Sequence, residues 1–458
     1  MKKSLLLIPV LIMLASGCGS SSSEFGKSDS LWLCRLQSPD VGYVEFPMQL
    51  HFEGSKLEGE SRPGVAGRYI GFFKLMLAKL FSSDFENGAL MHIRNGQISG
   101  DSVSAILSSA LGALRLRGRI DHDTLRANLT RGGRASGSFI AIKMSAIQDP
   151  LKNYQAIADS AIAVTHRSLF DSTLLTQTPW QDFEKDLHSV AGQSEDDVEF
   201  LFAFFYIKHL PFSHYYVFQQ PKSQDTLPTP PVQQGKPTFE INEIQPNTMR
   251  LNIRSFDGSS HEIDSVFDII FQRNPNNLII DLRENPGGNL SAMELASYLT
   301  DSAYYGGVFV TNLWFRTHSR PPAISDYASL PIVTDANVDS LLDNIHKYPA
   351  VAIKLTPNSR RYAGKVIVLT SNSTASACEP LVSALQSHKL ATIIGEQTAG
   401  AMLNAEKFDL GNNWFAFIPT ADYYTTEGVH LEGAGVTPDI KVPEANALDS
   451  AKGILARR

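Results

Sequence analysis

The chain has 458 residues, with 40 Lys plus Arg against 47 Asp plus Glu, and 43% apolar and 19% charged residues. That composition excludes disorder throughout. The length fits two or three domains, and 3 Cys exclude a disulfide framework or a multi-Cys zinc site. A formal charge of -7 argues against nucleic acid as a bulk electrostatic partner. The charge is uneven: residues 31–145 carry 14 basic and 10 acidic side chains, net +4, whereas 149 onward carries 23 and 35, net -12.

The first residues read as a targeting signal. Lys2 and Lys3 precede an apolar stretch, Leu5 to Leu14, that is too short to span a bilayer. Leu14-Ala-Ser-Gly-Cys18 follows and resembles the cleavage site of a bacterial lipoprotein signal, with Ala15 where Leu is common. The resemblance implies a signal over 1–17, a lipid on Cys18 that attaches the chain to a membrane of the bacterial cell envelope, and a flexible tether over 18–30. An ordinary secretory signal is the alternative, and either way the protein leaves the cytoplasm. No other stretch reaches 18 apolar residues, and Phe200 to Ile207 reads as a core segment by its length.

Residues 31–148 show short alternating runs punctuated by Gly, which predicts a small antiparallel β-domain. Tyr43 to Phe46 and Gln49 to Phe52, with Glu53-Gly54 and Lys56 to Gly59, read as a hairpin, and Asn95-Gly96 reads as the turn of another. Leu114 to Ile120, Thr124 to Leu129 and Gly137 to Ile142 continue the meander. Arg115, Arg117 and Arg119 alternate on one strand, as on a solvated face or one that meets an acidic partner. No catalytic constellation and no internal repeat is found in this domain.

The period then changes. Over 149–218 apolar residues recur at helical spacing in Tyr154 to Ala163 and Trp180 to Leu187, and Ser194-Glu-Asp-Asp197 reads as a capped helix start. Residues 219–237 form a proline- and glutamine-rich connector. From 238 to 458 strands and helices alternate: Asn277 to Arg283, then a helix over Leu290 to Leu299, then Lys365 to Thr370, a helix over Cys378 to Ser387, and Ala391 to Gly395. This succession implies an α/β core with a mainly parallel sheet and ligands at the C-terminal strand ends.

Thr374-Ala-Ser-Ala-Cys-Glu379 lies at such an end. A Ser at a strand-to-helix turn points its hydroxyl into the cleft, where the free N–H groups of the helix start stabilise an oxyanion. Ser376 with Glu379 three residues on also reads as a capping box. Pro286-Gly-Gly288 supplies a second turn at the same edge, and glycine there lets backbone N–H groups approach a reacting carbonyl.

Four motifs in order, LIIDLRENPGG, VIVLTSNSTASACEPLVSAL, TIIGEQTAG and EGAGVTPDIKV, run from Leu278 to Val442. With the helical lead-in they resemble the tail-specific, or C-terminal processing, serine peptidases and their relatives, the tricorn core peptidase and interphotoreceptor retinoid-binding protein. The resemblance implies a ClpP/crotonase-like core, Ser376 as nucleophile, and the N–H groups of Gly288 and Ala377 as oxyanion hole. Tail-specific members place a lysine 25 residues after the Ser, where this sequence has Ala401. Tricorn-like members instead use a Ser-His pair ahead of the sheet and a Glu near its end, which match Ser213-His214 and Glu432. His214 then serves as base, with Ser213 and Glu432 orienting it.

His209 and His430 compete with His214, Glu427 competes with Glu432, and Cys378 is a rival nucleophile that reads better as packing. Asp281 and Arg283 read as an ion pair at the sheet's end. The sequence calls for no cofactor and no metal, since neither H-x-x-x-H nor a Cys pair occurs. No segment resembles a PDZ module. The expected activity is hydrolysis of peptide or protein substrates through an acyl-enzyme. The alternative is a noncatalytic protein that holds a peptide or hydrophobic ligand on the same scaffold.

Overall fold

The computed structural model describes residues 30–38, 42–61, 90–109, 112–131, 134–144, 152–221, 238–258 and 260–456. The signal segment, Cys18, the tether before Ser30 and most of the connector lie outside them. Among the described residues no helix is long and apolar enough to cross a membrane.

Among the described residues eight strands come first: β1 (Ser30–Ser38), β2 (Gly42–Glu53), β3 (Lys56–Ser61), β4 (Met91–Ser99), β5 (Ser102–Ser109), β6 (Gly112–Asp121), β7 (Thr124–Arg131) and β8 (Arg134–Lys143). Each pairs antiparallel with its neighbour in sequence, and β1 pairs with both β2 and β8, which closes the set into a barrel. Alternation explains the closure: Leu114 and Leu116 point into the barrel while Arg115 and Arg117 are exposed. The interior is filled by side chains that include Trp32, Phe46, Met48 and Phe139. The Arg stripe therefore lies on a solvated face.

Asn95-Gly96 corrects the sequence reading, for it makes no hairpin turn. Both residues lie inside β4, where the register shifts between Arg94 and Gln97, and the chain reverses at Gly100-Asp101. A Cβ on Gly96 would fall 2.2 Å from the Leu57 carbonyl oxygen. Glycine here permits close strand approach at a bulge.

Three helices follow, α1 (Tyr154–Ser168), α2 (Thr178–Gln193) and α3 (Asp197–Ile207). The Asp196 side chain caps α3 by accepting from the Glu199 N–H at 3.0 Å. Next to it the buried Asp197 joins the barrel to the helices, accepting from the Glu45 N–H at 2.8 Å, Lys152 Nζ at 2.6 Å and the Tyr154 hydroxyl at 2.7 Å.

Strand β9 (Tyr216–Gln219) leads to β10 (Phe239–Gln245), β11 (Thr248–Ile253), α4 (Ser260–Arg273), β12 (Asn277–Asp281) and α5 (Ser291–Ser297). Then come β13 (Tyr304–Val310), α6 (Asn312–Phe315), β14 (Ile332–Val333), α7 (Val338–Lys347), β15 (Ala350–Leu355), β16 (Lys365–Thr370), α8 (Cys378–Ser387) and β17 (Thr392–Gly395). The chain closes with β18 (Leu403–Gly411), β19 (Trp414–Thr425), β20 (Ile440–Lys441) and α9 (Glu444–Ala456).

One sheet has the order β10-β11-β12-β16-β17-β20 and is parallel apart from the first pair. Its strands β12 and β16 are continuous apolar runs, as strands covered on both faces must be. A second, mostly antiparallel sheet runs β9-β19-β13-β15-β14 with β18 on β19, and touches the barrel through Tyr43 and Gln219. The sequence reading missed this sheet. Its main hairpin turns at Gly411-Asn412-Asn413, and the flanking residues alternate in burial. An apolar cluster drawn from both sheets, with Ile280 and Val368 from one and Phe309 and Val351 from the other, joins the two.

Candidate active site

Ser376 sits on the turn between β16 and α8 with φ of +54°, and His214 precedes β9 with φ of +58°. Among the described residues the other seven non-glycine residues at positive φ are five Asn, His122 and Lys389. Asn tolerates this conformation because its side chain bonds locally, whereas Ser gains nothing comparable, so the turn holds Ser376 against its preference.

What holds it is a buried carboxylate. Glu379, with no exposed surface, accepts from Thr398 Oγ1 at 2.5 Å, from the Gly400 and Ala401 N–H groups at 2.8 Å each, and from the Ser376 N–H at 3.2 Å. Burial pushes this carboxyl up and the four donors oppose it. Only half of the expected capping box forms. The N-cap position of α8 is Ala377, and no described group bonds the Ser376 hydroxyl. The hydroxyl is left to the cavity.

The glycine turn packs directly against this Ser. A Cβ on Gly287 would lie 2.5 Å from Ser376 Cβ, and one on Gly288 would lie 2.4 Å from the Phe256 carbonyl carbon. Phe256 N–H donates to the Gly287 oxygen at 2.7 Å and Asn289 N–H to the Phe256 oxygen at 3.1 Å. Gly287 N–H donates to Asn285 Oδ1 at 2.9 Å. The Gly288 and Ala377 N–H groups between these bonds have no acceptor among the described residues. Both residues line the cavity that Ser376 and His214 also line, whose volume is about 490 Å³.

Behind His214, the Glu432 carboxylate accepts the Ser213 N–H at 2.6 Å, the Met402 N–H at 2.7 Å and the Ser213 hydroxyl at 2.9 Å. Three donors converge on it, as an ionised carboxylate requires, even though burial pushes its carboxyl up. Ser213 Oγ lies 2.6 Å from His214 Nδ1. Its one proton is given to Glu432, so Nδ1 must be the donor in this contact and Nε2 keeps its lone pair. Burial, helped by the positive charge of Lys208, lowers His214 and keeps the imidazole neutral at neutral pH. No hydrogen bond links His214 to Ser376, although the two face one cavity.

The rivals lie elsewhere. His209 and Glu427 are exposed. His430 is held 2.8 Å from Asp422 and stacked on Tyr424, and it does not line the cavity. Cys378 is fully buried, its Sγ 3.6 Å from the Asn285 oxygen, and burial raises its thiol well out of the reactive range. Ala401, at the family's lysine position, accepts the Ser376 N–H through its carbonyl at 3.0 Å. Asp281 is paired with Arg283 at 2.7 Å and also with Arg250 at 2.6 Å, and together they hold its carboxyl down although burial alone would raise it. Among the described residues no cluster of His, Cys, Asp and Glu could hold a metal ion.

The strand-to-helix Ser turn, the glycine turn behind it and the β12-to-β20 succession coincide with the match to a family profile, peptidase family S41, over residues 247–442. Those residues are a peptidase family S41 domain. The chain is 43% identical over 166 residues to a carboxy-terminal-processing protease of Bartonella bacilliformis, covering 36% of this chain and 31% of that one. A carboxyl-terminal-processing protease of Picosynechococcus is 27% identical over 205 residues, 45% of this chain and 41% of that one. The chain thus spans less than half the length of these relatives. Among solved structures, a lipoprotein from Streptococcus agalactiae superposes with a TM-score of 0.45 at 15% identity, over 68% of this chain and 99% of that one. Ser213 and His214 lie outside the S41 match, and Glu432 lies inside it.

Proposed function

We propose that this protein is an extracytoplasmic serine peptidase, attached to the envelope through a lipid on Cys18, that hydrolyses peptide bonds by a Ser-His mechanism. The observation that carries the reading is the convergence on one cavity of a hydroxyl without an acceptor, a neutral imidazole and two unclaimed N–H groups. Ser376 Oγ attacks the substrate carbonyl carbon while His214 Nε2 takes its proton. The carbonyl oxygen becomes an oxyanion held by the Gly288 and Ala377 N–H groups. As the C–N bond breaks, His214 returns the proton to the leaving amine. A water then loses its proton to His214 and attacks the ester, and the same proton restores Ser376. Ser213 and Glu432 fix the imidazole tautomer and stabilise the imidazolium between these steps.

Labelling with a fluorophosphonate tests the reading. The wild-type protein is expected to label and to hydrolyse peptides, with both lost in Ser376→Ala and hydrolysis lost in His214→Ala. Correctly folded wild-type protein that neither labels nor hydrolyses peptides would favour a ligand-binding role, which Ala401 in place of the family's lysine makes the natural second reading. Release of a Cys18→Ser variant from the membrane fraction tests the anchor.

A further inference from the structure

We infer that Lys208 is a positioning residue for the hydrolysis: its ammonium group closes the turn that carries His214 and sets an uncompensated positive charge beside the imidazole. The inference rests on the peptidase reading and adds to it a residue that lines no part of the cavity and lies outside the S41 match.

The turn has to be held from outside. Helix α3 ends at Ile207 and β9 begins at Tyr216, and between them His214 is kept at φ of +58°. Among the described residues, 210–214 make no backbone-to-backbone hydrogen bond. Side chains supply the ties instead. Glu432 accepts the Ser213 N–H at 2.6 Å on one side of His214, and Lys208 Nζ donates to the Tyr215 carbonyl oxygen at 2.8 Å on the other. Lys208 caps the C-terminus of α3, its own N–H bonded to the Phe204 oxygen at 3.1 Å, so this tie starts from the end of a packed helix. It finishes on an equally fixed residue, since Tyr215 is buried against Trp180 and Phe183 of α2 and Phe204 of α3. The imidazole is pinned through both of its chain neighbours.

Charge gives the tie a second effect. Lys208 is half-buried, and among the described residues it has no carboxylate partner; its other contact is the Phe205 ring, 5.4 Å away. The charged groups around the imidazole are few. Glu432 faces Nδ1 through Ser213, and Asp257 stands exposed on the shared cavity. Asp422, which acts on Glu432, is paired with His430 at 2.8 Å. Lys208 is the cation whose field reaches His214. Its charge opposes protonation of the resting imidazole, whereas Glu432 stabilises the imidazolium once the Ser376 proton has been taken. Glu432 alone would favour a base already protonated in mild acid, and Lys208 offsets it.

The test compares wild type with three variants. Lys208→Met keeps the apolar stem without donor or charge, Lys208→Gln keeps a donor alone, and Lys208→Arg keeps both. In Lys208→Met kcat is expected to fall about tenfold or more at unchanged KM. The acid limb of kcat/KM should move upward by about 0.3–1 pH unit, because the imidazolium then forms more readily in the free enzyme. Lys208→Gln should show the same limb shift with a smaller fall in kcat, and Lys208→Arg should match the wild type in both. Titration of isotope-labelled histidine by NMR, with the His214 resonance assigned from its loss in His214→Ala, reads the same midpoint without turnover. Fluorophosphonate labelling reports whether each variant is folded, and Lys208→Gln carries the test if Lys208→Met is not. A limb that stays in place in the neutral variants, or a change in KM alone, would overturn the inference and leave the peptidase standing. Wild-type protein that neither labels nor hydrolyses peptides would bring down both.

Discussion

In the barrel the residues held at positive φ, Asn95 and His122, sit at a bulge and at the β6–β7 turn, where the chain needs that conformation to reverse or kink. Around the cavity of the S41 domain, Ser376 and His214 adopt the same conformation with no hairpin to close, and two backbone N–H groups that line the cavity lack acceptors among the described residues. The barrel packs Trp32, Phe46, Met48 and Phe139 in its interior and leaves a cavity of about 270 Å³ where Leu36, Val44 and Leu107 meet α3, whereas the S41 domain leaves about 490 Å³ open beside a Ser held in the left-handed region. The contrast teaches that strain kept beside unsatisfied donors marks a working site, while strain that closes a turn marks architecture.

That contrast can be broken by substitutions on either side of it. The largest effect is expected for Gly287→Ala. Its Cβ would meet Ser376 Cβ at 2.5 Å with φ at +110°, which displaces both Ser376, the proposed nucleophile, and the neighbouring Gly288 N–H. Activity should fall by about 10²–10³-fold while far-UV circular dichroism stays unchanged; an active variant would mean that the glycine turn does not position the oxyanion.

Glu432→Gln comes next, with an expected fall in kcat of about 10²-fold at similar KM. The amide keeps the shape but cannot balance an imidazolium, so steady-state kinetics that moved KM alone would place Glu432 in substrate binding.

Smaller still is the effect of pH. The proposed base, His214, can accept a proton only when neutral, and its pKa is lowered from the usual value of about 6.5. The acid limb of kcat/KM is therefore expected to have its midpoint below about pH 6.5, with activity lost as pH falls through it and a plateau at neutral pH. A limb centred above about pH 7.5 would exclude this imidazole as the base.

The barrel supplies the control. Leu116→Ala should lower stability by about 2–5 kcal/mol in denaturant unfolding and leave kcat per fluorophosphonate-reactive Ser unchanged, since Leu116 is buried in the barrel interior away from the cavity.

Much of the molecule could be read without coordinates, because the physics involved is local. Alternation at Leu114 to Ile120 specifies a strand with one wet face, the apolar runs at β12 and β16 specify strands buried on both sides, and Thr374 to Glu379 specifies a turn into a helix. The Asn95-Gly96 pair misled because a turn and a bulge use the same residues, and only the pairing of β4 with β5 tells them apart. The antiparallel sheet was missed because β9, β13 and β19 come from distant parts of the chain, a separation over which period carries no information.

The sequence by itself determined the barrel strands, the lead-in helices and the strands of the parallel sheet, the Ser at the sheet edge, Ala401 where a lysine was expected and, through Ser213-His214 and Glu432, the residues to watch. Tertiary structure alone decided that Glu432 reaches Ser213 across 219 positions, that Glu379 grips the Ser turn, and that a cavity of about 490 Å³ opens beside Ser376. The reason is that hydrogen-bond chains and cavities depend on distances between elements, which are set by packing and written in no single stretch of residues.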